Sequence, residues 1–138
     1  MTDYTVISKV RNKTEVNYLV NKLGKKGKTC YNFCDTPAIK DGQELTPEEQ
    51  MEMFENTKDF YNDKYFQKLF KQDLDGLRDA NKVIVLLPAG NSVHIEAGIA
   101  YGLGKELILI GEVEKPETLY LIFDKRYKNI EEFLNTVK

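Results

Sequence analysis

The stretch from Val83 to Lys105 reads VIVLLPAGNSVHIEAGIAYGLGK. Its apolar beginning predicts a buried strand, its Pro and Gly residues predict a short loop, and its Gly- and Ala-rich remainder predicts a helix. Glu96 is the only acidic residue between Asp79 and Glu106. An ionisable side chain in so apolar a segment is unfavourable unless it has a specific role, so Glu96 is a candidate functional residue.

The rest of the chain alternates between patterns of strands and helices. Short β-branched or apolar runs predict further strands at residues 4–10, 28–33, 106–110 and 119–123. Apolar side chains at three- and four-residue spacing predict helices around residues 16–23, 48–57, 60–77 and 130–137. Residues 35–42 are predicted as a surface loop. This order predicts a three-layer α/β fold, in which a parallel sheet of about five strands has helices on both faces.

Composition narrows the class of protein. A chain of 138 residues is expected to form a single domain, 1–138. The formal charge of −2 gives no global field that would attract a nucleic acid polymer or an anionic membrane. No signal-peptide pattern or bilayer-length apolar run is evident, so a cytoplasmic location is expected. Cys30, Cys34 and the single histidine make a poor zinc set, which predicts reduced cysteines and no metal.

Two corners of the predicted sheet are candidates for binding, because ligands of open α/β sheets bind beyond the carboxyl ends of strands. The first corner is residues 8–13, SKVRNK, with Ser8, Arg11 and Asn12 as candidate binding residues. A basic, Asn-containing turn before a helix could hold a phosphate through side-chain charge and backbone amides. It could equally be an ordinary solvated start of a helix.

The second corner is residues 88–96, with candidate binding residues Gly90, Asn91, Ser92 and His94. Gly90 and Asn91 suit a tight loop with left-handed backbone angles, and Ser92 is a good helix N-cap. This register places Glu96 at about the fourth helical position, one residue beyond a capping-box glutamate. The helix dipole is then expected to favour the ionised form that a nucleophile requires. The alternative is a surface glutamate paired with Lys105 or another base.

A second carboxylate would strengthen a chemical role for Glu96. Asp73 and Asp75 lie near the end of the preceding predicted helix, and Asp75 could equally be a solvated helix residue. Residues 72–111 contain DLDGL at 73–77, EAGIA at 96–100 and GK at 104–105. In their order and spacing, these motifs resemble the core of the nucleoside 2-deoxyribosyltransferase family and its deoxynucleotide N-glycosidase relatives.

The resemblance implies a flavodoxin-like (Rossmann-like) domain that cleaves or transfers at the N-glycosidic bond of a nucleoside or nucleotide. Glu96 matches the nucleophile of the family, which attacks C1′ of the sugar and holds it covalently. Asp73 matches the aspartate that assists at the base, and Ser92 lies in the loop that would meet the sugar or phosphate. The family needs no metal or cofactor, and its members imply a homodimer or a higher homo-oligomer.

The sequence departs from the family in two places. The first corner carries the basic SKVRNK where family members commonly have a Gly-bearing loop. His94 stands beside the nucleophile, where it could hydrogen-bond the ligand or Glu96, or serve packing or solvent contact. Two other functions therefore stay open: a non-catalytic nucleotide-binding module of the same fold, and an N-glycosidase that acts on NAD.

Overall fold

The computed structural model describes residues 1–35 and 39–138. The strands of the main sheet are β1 (Thr2–Ile7), β2 (Cys30–Asn32), β5 (Ala80–Leu86), β6 (Glu106–Ile110) and β7 (Lys125–Tyr127). A separate short hairpin pairs β3 (Ile39–Lys40) with β4 (Gln43–Glu44). The α-helices of the described chain are α1 (Lys13–Lys25), α2 (Pro47–Asn56), α3 (Lys64–Asp79), α4 (Asn91–Gly102) and α5 (Ile130–Leu134).

The hairpin begins within the loop predicted at residues 35–42 and extends past it to Glu44. Residues 36–38 of that loop lie outside the described part of the chain. Asp41 and Gly42 connect the two strands, and both have positive φ angles, 53° and 79°. Asp and Gly tolerate that conformation best, and a two-residue turn of this kind matches the twist of paired strands. The short hairpin follows from these two residues.

The main sheet is parallel throughout, in the order β2-β1-β5-β6-β7. Counted by these five strands alone, the order is 2-1-3-4-5, which is the flavodoxin-like arrangement. The predicted fold class is therefore confirmed. The connection after β1 runs toward β2 and the connection after β5 runs toward β6, so the chain changes direction between β1 and β5. Ligands of such sheets bind at this switch point.

Alternating side chains of β5 divide the core between the two faces of the sheet. Ile84 and Leu86 pack in a cluster with α1 and α5, whereas Val83 and Val85 pack with α3 and α4. All four side chains are almost fully buried. A strand buried on both faces reads as a continuous apolar run, which is why VIVLL was recognisable in the sequence.

The strand predicted at 119–123 is wrong. Residues Thr118–Ile122 form a 3-10 helix, and the fifth sheet strand is β7 instead. Because β7 runs parallel to β6, the chain must first cross back from the carboxyl end of β6 to the amino end of β7. The 3-10 helix lies in this connection. Leu119 and Leu121 remain exposed, while Phe123 packs into the α3 and α4 side of the core.

The start of α2 is the one that the sequence predicts. The Thr46 hydroxyl accepts from the Glu49 amide, and the Glu49 carboxylate accepts from the Thr46 amide, in a complete capping box. No side chain of α2 is fully buried. The helix is attached through Phe54, whose ring packs edge-on against Phe66 of α3 at 5.3 Å.

The glycine of the DLDGL motif has a packing role. A Cβ atom on Gly76 would lie 3.2 Å from the ring of Tyr31 on β2, tighter than most real contacts. Glycine therefore lets α3 approach the sheet closely over that ring. The motif that carries the family resemblance thus includes a structural requirement as well as the candidate carboxylate Asp73.

Candidate active site

The two predicted corners meet at the switch point of the sheet. The Ser8 hydroxyl, just after β1, donates to the carbonyl oxygen of Leu86 at the end of β5 (2.8 Å). The Asn12 Nδ2 amide donates to Ser8 Oγ (2.9 Å) and to the carbonyl oxygen of Pro88 (2.8 Å). The structure therefore brings Ser8 and Asn12 together with the second corner, as contacts to its main chain.

The start of α4 differs from the prediction. Gly90 is the N-cap and Asn91 is the first helical residue, so Ser92 is already inside the helix and caps nothing. Gly90 has a φ of −102°, and neither Gly90 nor Asn91 adopts a positive φ. The predicted left-handed loop and Ser92 cap are wrong because the Gly90 carbonyl already accepts from the His94 amide, closing the first turn earlier. Asn91 and Ser92 are exposed.

Glu96 is consequently the sixth residue of α4, in its second turn rather than its first. It is half-buried, on the side of the helix where Val93, Ala97 and Ala100 enter the core. Burial and, to a smaller extent, the negative charge of Asp73 together raise the pKa of Glu96 from an ordinary 4.5 to about 8. The expected stabilisation of the ionised form by the helix dipole is wrong here, because the dipole acts mainly within the first turn.

Asp73 lies on α3, which packs against α4. Its side chain is open to solvent on one side, and desolvation by the surrounding protein raises its pKa from 3.8 to about 6, less than for Glu96. Because the charge of Asp73 contributes to the pKa of Glu96, the two carboxylates lie within electrostatic reach of each other. The structure thus brings together the two predicted catalytic residues.

Glu96 does not form the surface ion pair with Lys105 that was its alternative role. Lys105 donates to the carbonyl oxygen of Arg78 (2.8 Å) rather than to Glu96. Asp75 is exposed and paired with Lys71 (3.0 Å) and Arg78 (3.9 Å), as expected of a solvated helix residue. Within the described residues, Glu96 makes no ion pair, so its position in an apolar face is unexplained by any structural partner.

His94 holds the beginning of α4 and does not contact Glu96. Its Nδ1 lies 2.7 Å from the Gly90 carbonyl oxygen, and its Nε2 lies 2.8 Å from the Tyr120 hydroxyl. A carbonyl only accepts, so Nδ1 carries the hydrogen, and in the neutral ring Nε2 accepts from Tyr120. His94 and Glu96 are two residues apart and face different sides of the helix. Tyr120 was missed because its segment was predicted as a strand.

The basic residues of the first corner, Arg11 and Lys9, make different contacts. Arg11 makes a two-pronged ion pair with Glu48 on α2 (2.8 and 2.7 Å), which fastens that helix to the corner. Lys9, which was not singled out from the sequence, lies against the start of α4: its Cε is 3.7 Å from where a Cβ on Gly90 would stand. Lys9, rather than Arg11, is the cation placed beside the first turn of α4.

Two cavities of the described structure lie elsewhere. One of about 190 Å³ lies around Lys82, toward the amino ends of the strands, and one of about 360 Å³ lies beside Leu87 at the carboxyl ends. Neither is lined by Glu96 or Asp73. Within residues 1–35 and 39–138, no group of three or more metal-binding side chains comes together. No helix in the described chain has the length and apolarity needed to cross a membrane.

Comparison with known proteins places the fold. No protein-family model matches the sequence, and no curated protein does. Among solved structures, the CMP N-glycosidase BcmB of Clostridium botulinum matches with a TM-score of 0.59 and 18% identity, over 96% of this chain and 95% of that one. A 2-deoxyribosyltransferase of Bacillus psychrosaccharolyticus matches with a TM-score of 0.64 and 16% identity, over 96% and 90% of the two chains.

This chain therefore has the fold of nucleoside 2-deoxyribosyltransferases and N-glycosidases, as the sequence motifs predict. Likeness at these identities is a likeness of fold. The single-domain organisation, the homo-oligomer and the cytoplasmic location stay predictions.

Proposed function

We propose that this protein cleaves the N-glycosidic bond of a nucleoside or nucleotide, with Glu96 as the nucleophile and Asp73 as the group that assists the base. The observation that carries the proposal is the pair itself: two carboxyls with raised pKa values, on helices that pack together. Shifted pairs of this kind are typical of acid and base groups in active sites. The shared fold with two enzymes acting on this bond supports it.

The protonation of the pair suits such a reaction. Because the pKa values are about 6 and about 8, the pair carries one proton and one negative charge between these pH values. Retaining cleavage of a glycosidic bond needs the same protonation state, with one ionised carboxylate and one protonated carboxyl. In the free protein the proton resides mainly on Glu96, so productive binding must transfer it to Asp73.

In the first half of the reaction, an oxygen of the Glu96 carboxylate bonds to C1′ while the bond from C1′ to the base nitrogen breaks. The electron pair of that bond passes to the base, and Asp73 supplies the proton that neutralises it. Burial makes the Glu96 carboxylate more basic than one in water, which strengthens it as a nucleophile.

In the second half, water or the nitrogen of a second base attacks C1′ of the glycosyl-enzyme. Asp73 now accepts the proton of the attacking group, and the bond from C1′ to Glu96 breaks. Attack by water gives hydrolysis, and attack by a base gives transfer of the sugar. Both outcomes use the same two side chains.

We further propose that the substrate is a 5′-monophosphate, held where Lys9 meets the first turn of α4. Asn91 and Ser92 are exposed there, at the end of a helix whose first amides have no partners within the helix. Lys9 adds a positive charge beside Gly90. Arg11 is less suited to this role, because Glu48 already neutralises it.

The test is to incubate the protein with nucleosides, 2′-deoxynucleosides and their 5′-monophosphates, with and without a free acceptor base, and to measure base release. We expect release from at least one monophosphate, and its loss in Glu96→Gln. Glu114→Gln, an exposed change of the same chemistry, should keep full activity. Equal activity in Glu96→Gln would refute the nucleophile.

Two alternatives give different results in the same assay. A non-catalytic nucleotide-binding module would bind a monophosphate equally well in wild type and in Glu96→Gln, and would release no base from any compound. An N-glycosidase that acts on NAD would release nicotinamide from NAD and leave the nucleoside panel intact. Including NAD and a binding measurement therefore separates the three functions.

A further inference from the structure

We infer that Asn12 and Ser8 are positioning residues, which hold the main chain that leads into α4 and thereby set where Glu96 stands relative to Asp73. This inference rests on the proposed function and deepens it. It replaces the expectation that these two side chains bind substrate directly. The observation behind it is a continuous hydrogen-bond chain from the first corner of the sheet to the second.

The chemistry of the donors and acceptors determines which group donates at each step of this hydrogen-bond chain. The Pro88 carbonyl only accepts, so the Asn12 side chain must present its NH2 group there, and the same group donates to Ser8 Oγ. The Ser8 hydroxyl hydrogen is in turn donated to the Leu86 carbonyl. Both amide hydrogens of Asn12 and the single hydroxyl hydrogen of Ser8 are therefore used on protein groups, and neither side chain has a donor left for a ligand.

The carbonyls held in this way lie on the β5 side of the turn between β5 and α4. Leu86 is the last residue of β5, and Pro88 stands two residues before the helix cap at Gly90. On the other side of the turn, His94 donates to the Gly90 carbonyl. The turn is thus held from both sides, by Asn12 with Ser8 and by His94.

Glu96 is carried by the helix that begins at this turn, so movement of the turn moves its carboxylate. Ser8 is almost fully buried, which means that water cannot readily replace its contact with Leu86. Loss of the Asn12 donors would remove the hydrogen bonds to the Pro88 carbonyl oxygen and to Ser8 Oγ, and would loosen the turn. A displacement of about 1 Å at a reacting group can cost roughly 100-fold in rate, so the catalytic effect should exceed the effect on substrate binding.

The first test is independent of activity. Asn12→Asp keeps the shape of the side chain but removes both donors and places a carboxylate against the Pro88 carbonyl oxygen and Ser8 Oγ. We expect faster amide hydrogen exchange in residues 89–94 of the free protein, with little change in α1. Asn81→Asp makes the same chemical change at an exposed position at the other end of β5 and should leave this segment unchanged. Unchanged exchange in Asn12→Asp would overturn the inference, whether or not the protein proves to be a glycosidase.

The second test separates positioning from substrate contact. With a substrate identified, Asn12→Asp and Ser8→Ala should each lower kcat by roughly 10- to 100-fold with KM changed less than about threefold. Their double mutant should lose no more than the worse single mutant, because both break one network. Ser8→Thr keeps the hydroxyl and should recover most of the activity. A rise in KM at unchanged kcat would instead show that these side chains bind substrate.

Discussion

Glu96 on α4 and Asp73 on α3 titrate as neighbours, since the negative charge of Asp73 is one of the two causes that raise the pKa of Glu96. The other and larger cause is burial. A pair of this kind has macroscopic pKa values that belong to both groups together. The pH dependence of the proposed reaction should therefore report the pair rather than one residue.

We expect kcat/KM to follow a bell-shaped curve with limbs near pH 6 and pH 8, where the pair gains its second proton and loses its last. Asp73→Asn should lower the activity and leave a single ascending limb. That limb should lie below pH 8, because removing the charge of Asp73 lowers the pKa of Glu96. The measurement is kcat/KM from about pH 5 to about pH 9.5. Asp75→Asn is the matched control, and an unshifted limb in Asp73→Asn would contradict the coupling.

Folding stability should depend on the same proton. In the native protein Glu96 keeps its proton up to about pH 8, whereas in the unfolded chain the same carboxyl loses its proton near pH 4.5. Between these values the native state binds more protons, so the free energy of unfolding falls as the pH rises. Glu96→Gln has no carboxyl proton to lose, so its free energy of unfolding lacks this decrease. At pH values above 8, its Tm should be several degrees higher than that of the wild type.

At acid pH, where both states hold the proton, Glu96→Gln should change Tm by only about a degree. Thermal unfolding of wild type, Glu96→Gln and the exposed control Glu114→Gln as a function of pH tests this directly. If Glu96→Gln is no more stable than wild type in alkaline buffer, Glu96 is not a buried, unpaired carboxyl in solution.

The proposed phosphate contact separates nucleotides from nucleosides. Lys9→Gln removes a charge beside the first turn of α4, so KM for a 5′-monophosphate should rise roughly tenfold or more. KM for the corresponding nucleoside should stay the same, because it has no phosphate to lose. Lys13→Gln, which removes an exposed charge from the same corner, should alter neither. An equal rise for both substrates would mean that Lys9 supports the fold of the corner and not the phosphate.

Much of the fold is readable in the sequence because burial leaves a local pattern. The run from Val83 to Leu86 is apolar on both faces, which predicts a central parallel strand, and Thr46 with Glu49 predicts the start of α2. The pairing of Glu96 with Asp73 came from family motifs, since the packing of α3 on α4 has no local signal.

Other features depend on contacts that no local pattern records. Ser92 has the chemistry of an N-cap, but the helix starts earlier because the backbone closes its first turn at Gly90. The contact between Asn12 and Pro88 joins residues 76 positions apart and requires β1 and β5 to be neighbours. The pKa of Glu96 depends on burial in the folded protein, which outweighs the helix dipole assumed from sequence position.

Two glycines near the site should lose very different amounts of stability when replaced by alanine. Gly111 follows β6 with a φ of +121°, and a Cβ there would lie 2.7 Å from the Cβ of Leu87, where the turn toward α4 begins. Gly111→Ala should therefore cost about 2–4 kcal/mol from backbone strain and collision, and should lower kcat by displacing Leu87. Gly90 has an ordinary φ, and a Cβ there would meet Lys9 at 3.7 Å, a normal contact.

Gly90→Ala should accordingly cost less than about 1 kcal/mol, the difference between glycine and alanine as a helix cap. Denaturant unfolding of both variants, followed by kinetics on the one that folds, compares the two sites. A large loss at Gly90 and none at Gly111 would mean that the tight approach between β6 and the turn at Leu87 is not the feature that holds α4.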